Sequence, residues 1–186
     1  MVMRSFFCLE LDQITKDRLA DAVAILKKTD ARMRWVRPEL MHITLKFLGD
    51  IDPNQIIEYQ SFAQSAANKS QPFQLRLNKL GAFPNFDKPR VIWAGASNVP
   101  DALNQLHATL DQQLETFGFR REKLYTPHVT LGRVKESDKN LLSTLAELVQ
   151  STSMRPSAFK VNGITLMGSV LGSGGPSYTP VFQVPL

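Results

Sequence analysis

His42-Ile43-Thr44-Leu45 and His128-Val129-Thr130-Leu131 are two copies of one pattern, His-apolar-Thr-apolar, set 86 residues apart in a chain of 186. They use two of the chain's three histidines. Side chains alternate faces along a β-strand, so the imidazole and the hydroxyl of each copy share one face. Ile43 and Leu45, or Val129 and Leu131, then point into a core. Laid side by side, two such strands bring two imidazoles and two hydroxyls together.

An offset near 86 residues organises the rest of the chain. In the first half, hydrophobic periodicity predicts a strand at 3–9 and a helix at 12–28 carrying Ile14, Leu19, Ala20, Val23 and Leu26. An extended piece follows near Trp35-Val36, then the first His strand at 41–48, closed by Gly49-Asp50. Asp52-Pro53 opens a helix at 53–67, and Phe73, Leu75 and Leu77 alternate as a strand. The second half repeats this order. Val91-Ile92-Trp93 is a strand, and a helix at 100–116 carries Leu103, Leu106, Leu110 and Leu114 before Gly118 stops it. An extended piece near Lys123-Leu124-Tyr125, the second His strand at 127–134, a helix at 138–150 and a strand at 157–167 follow. A last strand at 177–185 ends the chain. Segment 3–9 maps onto 90–96, helix 12–28 onto 100–116, and His42 onto His128.

This duplication predicts an α+β fold forming one domain over 1–186. It is bilobal, with two pseudo-symmetric lobes of mostly antiparallel sheet backed by helices and a central cleft between the sheets. No Gly-rich strand-to-helix turn and no strict βαβ alternation is present, which argues against a doubly wound nucleotide-binding sheet.

Composition narrows the partners. Hydrophobic residues make up 43% and charged residues 21%, ordinary for a soluble globular protein. The net charge of +5 favours acidic partners such as RNA or phosphorylated metabolites. Cys8 is the sole cysteine, so no intrachain disulfide and no Cys-rich metal site can form, and its apolar neighbours predict a buried thiol. The N-terminal apolar run is broken by Arg4 and Glu10, so neither a membrane span nor a signal peptide is expected. A cytoplasmic monomer is the expectation.

Two histidines can share one displacement, a neutral imidazole taking a proton from the nucleophile and a protonated one giving a proton to the leaving group. A phosphodiester suits this division because attack and departure are in line on opposite sides of phosphorus. Thr44 and Thr130 would donate to the non-bridging oxygens. Neither a metal nor a cofactor is required, and no carboxylate cluster flanks either His. Arg133 could clamp the phosphate, but it is out of phase with His128 and Thr130, so a turn or bulge after Gly132 must re-aim it. Lys46 is in phase with His42 and Thr44 and is a second substrate-binding candidate. Phe47 is out of phase and reads as core. Tyr125 and Tyr178 are candidate platforms for a base. His107 lies on the helix 100–116 without a Thr partner and reads as structural; a zinc site of His42, His107 and His128 is the competing arrangement. Gly172-Ser173-Gly174-Gly175 reads as a hairpin connection, and Trp35 and Trp93 as lobe packing.

The stretches His42-Ile43-Thr44-Leu45-Lys46-Phe47-Leu48-Gly49 and Tyr125-Thr126-Pro127-His128-Val129-Thr130-Leu131-Gly132-Arg133 resemble the two-histidine phosphoesterase superfamily. Within it the chain is similar to the RNA 2′,3′-cyclic phosphodiesterase family, also known as the bacterial and archaeal 2′-5′ RNA ligase family. Arg4-Ser5-Phe6-Phe7, Arg90-Val91-Ile92-Trp93, Ser169-Val170-Leu171 and Gly175-Pro176-Ser177-Tyr178 extend the likeness nearly end to end. The resemblance implies a metal-independent enzyme that opens the terminal 2′,3′-cyclic phosphate of RNA to a 2′-phosphomonoester. His42 would be general acid to the departing 3′ oxygen and His128 general base to water; the residues alone leave the reverse pairing open. Ligation through a 2′-5′ bond would be the same chemistry run backward. The partners implied are RNA ends or nucleotide cyclic phosphates, without metal or membrane. Competing readings keep the mechanism on a small cyclic nucleotide, an ADP-ribose cyclic phosphate or a 2′-5′ oligonucleotide. Others make the chain a non-catalytic RNA-binding module or a metal-dependent hydrolase.

Overall fold

The periodic segments become elements in the predicted order, with ends shifted by a few residues. The computed structural model describes residues 2–135 and 138–186. Its first half comprises β1 (Met3–Glu10), α1 (Gln13–Leu26), β2 (Met33–Trp35), β3 (His42–Ile51), α2 (Ile56–Ala67), β4 (Phe73–Leu77) and β5 (Lys79–Phe83). The second half comprises β6 (Val91–Gly95), α3 (Asp101–Thr116), β7 (His128–Val134), α4 (Lys139–Ser151), β8 (Ser157–Val161) and β9 (Gly163–Gly172), with β10 (Gly175–Pro185) appended. Short 3₁₀ turns at Pro38–Leu40 and Pro53–Gln55 precede β3 and α2. Local chemistry sets the helix ends. The Asp12 carboxylate accepts from the Thr15 amide at the start of α1. Gly118, at φ +93°, takes the left-handed conformation that closes α3.

The main sheet has the order β10-β9-β1-β3-β7-β6-β5, with β2 also on β7, and β4 pairs separately with β8. Every one of these ladders is antiparallel. One lobe is built on β1 and β3, the other on their counterparts β6 and β7. Each half gives its last strand to the opposite lobe: β9 joins β1, and β5 joins β6. The counterparts β4 and β8 pair with each other. The duplication is thus interlocked, which accounts for the absence of a linker.

The cleft differs from the expected gap between two sheets. The lobes are joined edge to edge where Ile43 of β3 pairs with Val129 of β7. Open edges there would leave backbone N–H and C=O groups without partners. Where β3 diverges, β2 takes over the same edge of β7, pairing Met33 to Val134 through Trp35 to Gly132.

One strand reading is also corrected, and one strand went unread. Segment 157–167 is two strands, and β5 lacks the alternation that would reveal it. Gly81 in the middle of β5 is needed because a Cβ there would lie 2.2 Å from the Trp93 ring. The stretch near Lys123-Leu124-Tyr125 forms no strand. Ile43, Leu45, Val129 and Leu131 are 0–1% exposed. Each such side chain contributes about 1.5–3 kcal/mol through burial, anchoring the faces that carry His and Thr. Cys8 is buried, as expected, and burial pushes its thiol pKa up. Among the described residues no helix is long and apolar enough to cross a membrane.

Candidate active site

The Ile43–Val129 pair fixes what faces what. In an antiparallel register centred on it, His42 stands across from Thr130 and Thr44 across from His128. Each imidazole is tethered by the same local device. His42 Nδ1 lies 2.8 Å from the Leu40 carbonyl oxygen, and His128 Nδ1 lies 2.7 Å from that of Thr126. A carbonyl only accepts, so Nδ1 carries the proton in both rings and Nε2 is left to exchange protons with a ligand.

The rings differ in their packing. Phe6 stacks on His42 at 4.7 Å, and Tyr178 meets that ring edge-on at 5.4 Å. Phe83 meets His128 edge-on at 4.9 Å, with Trp93 at 6.2 Å. Burial lowers the His42 pKa, opposed by the Leu40 hydrogen bond and reinforced by the positive charge of His128. Burial also lowers that of His128, opposed by Thr126 and reinforced by the Arg133 guanidinium. The His128 charge is thus felt at His42 across the ladder.

Matching bulges redirect the ends of both motif strands. Cys8 pairs with Thr44 but Phe7 with Lys46, making Leu45 an extra residue in β3. Trp93 pairs with Thr130 but Ile92 with Gly132, making Leu131 an extra residue in β7. Beyond a bulge the alternation reverses. Arg133 is thereby turned onto the Thr130 face and lines the cleft, the bulge lying just before Gly132 rather than after it. Phe47 occupies the equivalent position of β3, lines the same cleft and is 62% exposed, which corrects its reading as core.

The reversal also corrects Lys46. It points away from the cleft and is buried, its ammonium donating to Asp111 and to the Arg120 carbonyl. Tyr125 is corrected too. Its ring stacks on His107 at 3.7 Å and 4°, and its hydroxyl donates to the Thr44 carbonyl, so it is committed to packing behind β3. His107 is buried on α3 beneath it, 3.6 Å from Glu122, and takes no part in the cleft. Among the described residues no three His, Cys, Asp or Glu side chains are grouped to hold a metal ion.

The cleft encloses about 480 Å³, and its walls include His42, Thr44, Thr130, Arg133, Phe47 and Tyr178. His128 is not a wall residue of this cavity; it stands across the ladder from Thr44. The 172–175 turn rims the cavity through Ser173, Gly174 and Gly175. Trp35 lies over Gly132, where a Cβ would come within 2.7 Å of its ring, and so fastens β2 to β7. Phe6 and Arg34 escaped the sequence reading, which named Phe47 but assigned it to the core. The 86-residue offset was the available signal for Phe47, since it pairs position 47 with position 133.

The sequence model of the LigT like Phosphoesterase family matches this chain twice, over residues 9–93 and 95–178. The chain belongs to that family. The two matches are the two halves of the duplication. Among relatives, a Methanothermobacter thermautotrophicus protein named RNA 2′,3′-cyclic phosphodiesterase is 33% identical, covering 96% of each chain. An Aquifex aeolicus protein of the same name is 35% identical over 86% of each. A crystal structure from Thermus thermophilus superposes with a TM-score of 0.80 at 26% identity, covering 99% of this chain and 98% of that one. Escherichia coli LigT complexed with 3′-AMP gives 0.74 at 24% identity, covering 100% and 99%, a likeness of fold.

Proposed function

We propose that this LigT-family chain hydrolyses the terminal 2′,3′-cyclic phosphate of RNA to a 2′-phosphomonoester through its two histidines. The observation that carries the reading is the pair of tethered imidazoles on facing strands, each with Nε2 free and each set across from a threonine. Relatives about a third identical over nearly the whole chain bear the name of that activity.

In this reading His128 Nε2 takes a proton from water as its oxygen bonds to phosphorus. His42 Nε2 gives a proton to the 3′ oxygen as the P–O3′ bond breaks. Thr44 and Thr130 donate to the non-bridging oxygens, and Arg133 offsets the charge gathering there. Two features of the surroundings support this division of roles. The Arg133 charge favours a neutral His128, suited to a base. Phe47 and Tyr178 form an apolar wall on the lobe of His42. A nucleoside resting there presents its 3′ oxygen to His42. Run in reverse with a 5′-hydroxyl in place of water, the same steps join RNA ends through a 2′-5′ bond. Neither proton transfer calls for a metal.

The test is an RNA oligomer ending in a 2′,3′-cyclic phosphate, incubated with excess chelator. A 2′-phosphate product at an undiminished rate is expected. A 3′-phosphate product would contradict the assigned bond cleavage, turnover abolished by chelator would favour a metal-dependent hydrolase, and binding without turnover would favour an RNA-binding module.

A further inference from the structure

The cleft holds more positive charge than one cyclic phosphate uses. Arg34 of β2 is the ladder partner of Arg133 on β7. Both are exposed and both line the cleft. Directly opposed residues of like charge repel and weaken a strand pair. Here the repulsion is unrelieved, for among the described residues neither arginine has a carboxylate within ion-pair distance, whereas neighbouring Arg37 is paired with Glu39 at 3.5 Å. Trp35, seated on Gly132, fixes β2 so that the two guanidinium stems stay side by side. An uncompensated pair held in place at a cavity wall is suited to an anion.

The position of the pair separates it from the reacting phosphorus. Arg133 lies three residues along β7 from Thr130, roughly 8–10 Å of strand, and Arg34 is one strand spacing of roughly 4.8 Å further across. Arg133 can reach back to the phosphate held by the threonines. The Arg34 guanidinium, on the same cleft wall, is left over for a second anion.

Resting on the activity proposed above, we infer that Arg34, together with Arg133, binds a second phosphate, the one on the 5′ oxygen of the terminal nucleoside. The substrate is then an oligonucleotide end, and Arg34 is a specificity residue that distinguishes it from a free nucleoside cyclic phosphate. A 5′-phosphorylated mononucleotide offers the same group and separates the phosphate's contribution from that of the next nucleoside.

The experiment compares kcat/KM for adenosine 2′,3′-cyclic phosphate, its 5′-phosphorylated form and an ApA dinucleotide bearing the cyclic phosphate, at fixed ionic strength. The protein should prefer both phosphate-extended substrates at least about tenfold, the preference steepening as salt is lowered. In R34A and R34Q, each checked for an unchanged melting curve, the preference should collapse to within about threefold of unity. Equal kcat/KM for all three substrates in the unmodified protein overturns the inference and leaves the parent activity standing. So does a variant that lowers all three in proportion. If none is hydrolysed, the parent activity fails and binding decides the subsite. Adenosine 3′,5′-bisphosphate should then bind at least about tenfold tighter than adenosine 3′-phosphate, and equal affinity overturns the inference.

Discussion

The two copies of the motif are alike at the histidine and the threonine and unlike in the residues that follow. Both place a histidine whose Nδ1 is tied to the carbonyl two residues earlier, and both follow it with threonine and a bulge. After the bulge they part. One copy turns Lys46 inward to Asp111 and presents Phe47 to the cleft; the other has Gly132, on which Trp35 sits, and presents Arg133. His42 rests on Phe6 and Tyr178, while His128 stands near the Arg133 charge. Duplication supplied a symmetric centre suited to in-line displacement. Divergence just after the bulge gave the centre a direction, a phenyl ring presented on one side and a guanidinium on the other.

Removing either imidazole is the harshest way to probe that symmetry. His42→Ala and His128→Ala should each lower kcat by about a hundredfold to ten-thousandfold. A substrate with an acidic aryl leaving group sharpens the comparison, because such a group departs without a proton. The H42A deficit should then shrink by at least about tenfold while the H128A deficit persists. The opposite pattern would reverse the acid and base assignments. Thr44→Val and Thr130→Val, read as single-turnover rates, should each cost about a hundredfold, in line with loss of one oxyanion donor. A much larger loss for one than the other would mean the two sides do not share the phosphate.

The divergent positions should give smaller and qualitatively different effects. Phe47→Ala should raise KM about threefold to tenfold and leave kcat nearly untouched, as expected for a wall that binds ground and transition states alike. Lys46→Met, measured by denaturant unfolding, should cost about 3 kcal/mol of stability, because it leaves the buried Asp111 carboxylate without its ammonium partner.

Acidity gives the finest distinction. Both imidazoles are pushed below their usual value near 6.5, chiefly by burial, so at neutral pH both are largely unprotonated in the free protein. The base is then ready and the acid is scarce. An anionic phosphate raises both pKa values on binding. The alkaline limb of kcat should therefore lie at higher pH than that of kcat/KM, by about half a unit or more. Arg133→Ala removes a charge that lowers His128 and should move one limb of the kcat/KM profile upward in pH. Coincident kcat and kcat/KM profiles, or an unmoved R133A profile, would show that these surroundings do not tune the pair.

Much of this was legible in the sequence because it is local. The His-apolar-Thr-apolar pattern, the Pro and Asp signals before α2 and the spacing of leucines in α3 each act within a few residues. What stayed hidden depends on partners distant in the chain. Alternation assigned Lys46 to the cleft and Phe47 to the core, because parity assumes an unbroken strand; both bulges are defined by pairing with β1 and β6. Tyr125 looked available beside its motif, yet its fate is set by His107 on α3 and by the backbone of Thr44. The exchange of β5 and β9 between lobes left no local mark, although shifting 163–172 back by 86 residues lands on 77–86, where β5 lies.

A crystal structure with a nucleoside vanadate, which imitates five-coordinate phosphorus, bears most directly on whether both imidazoles serve one reacting centre. Each Nε2 should lie about 3 Å from a different apical oxygen, with the two threonine hydroxyls on equatorial oxygens. A vanadate touched by only one of the two rings, the other turned to solvent or to protein, would contradict the account.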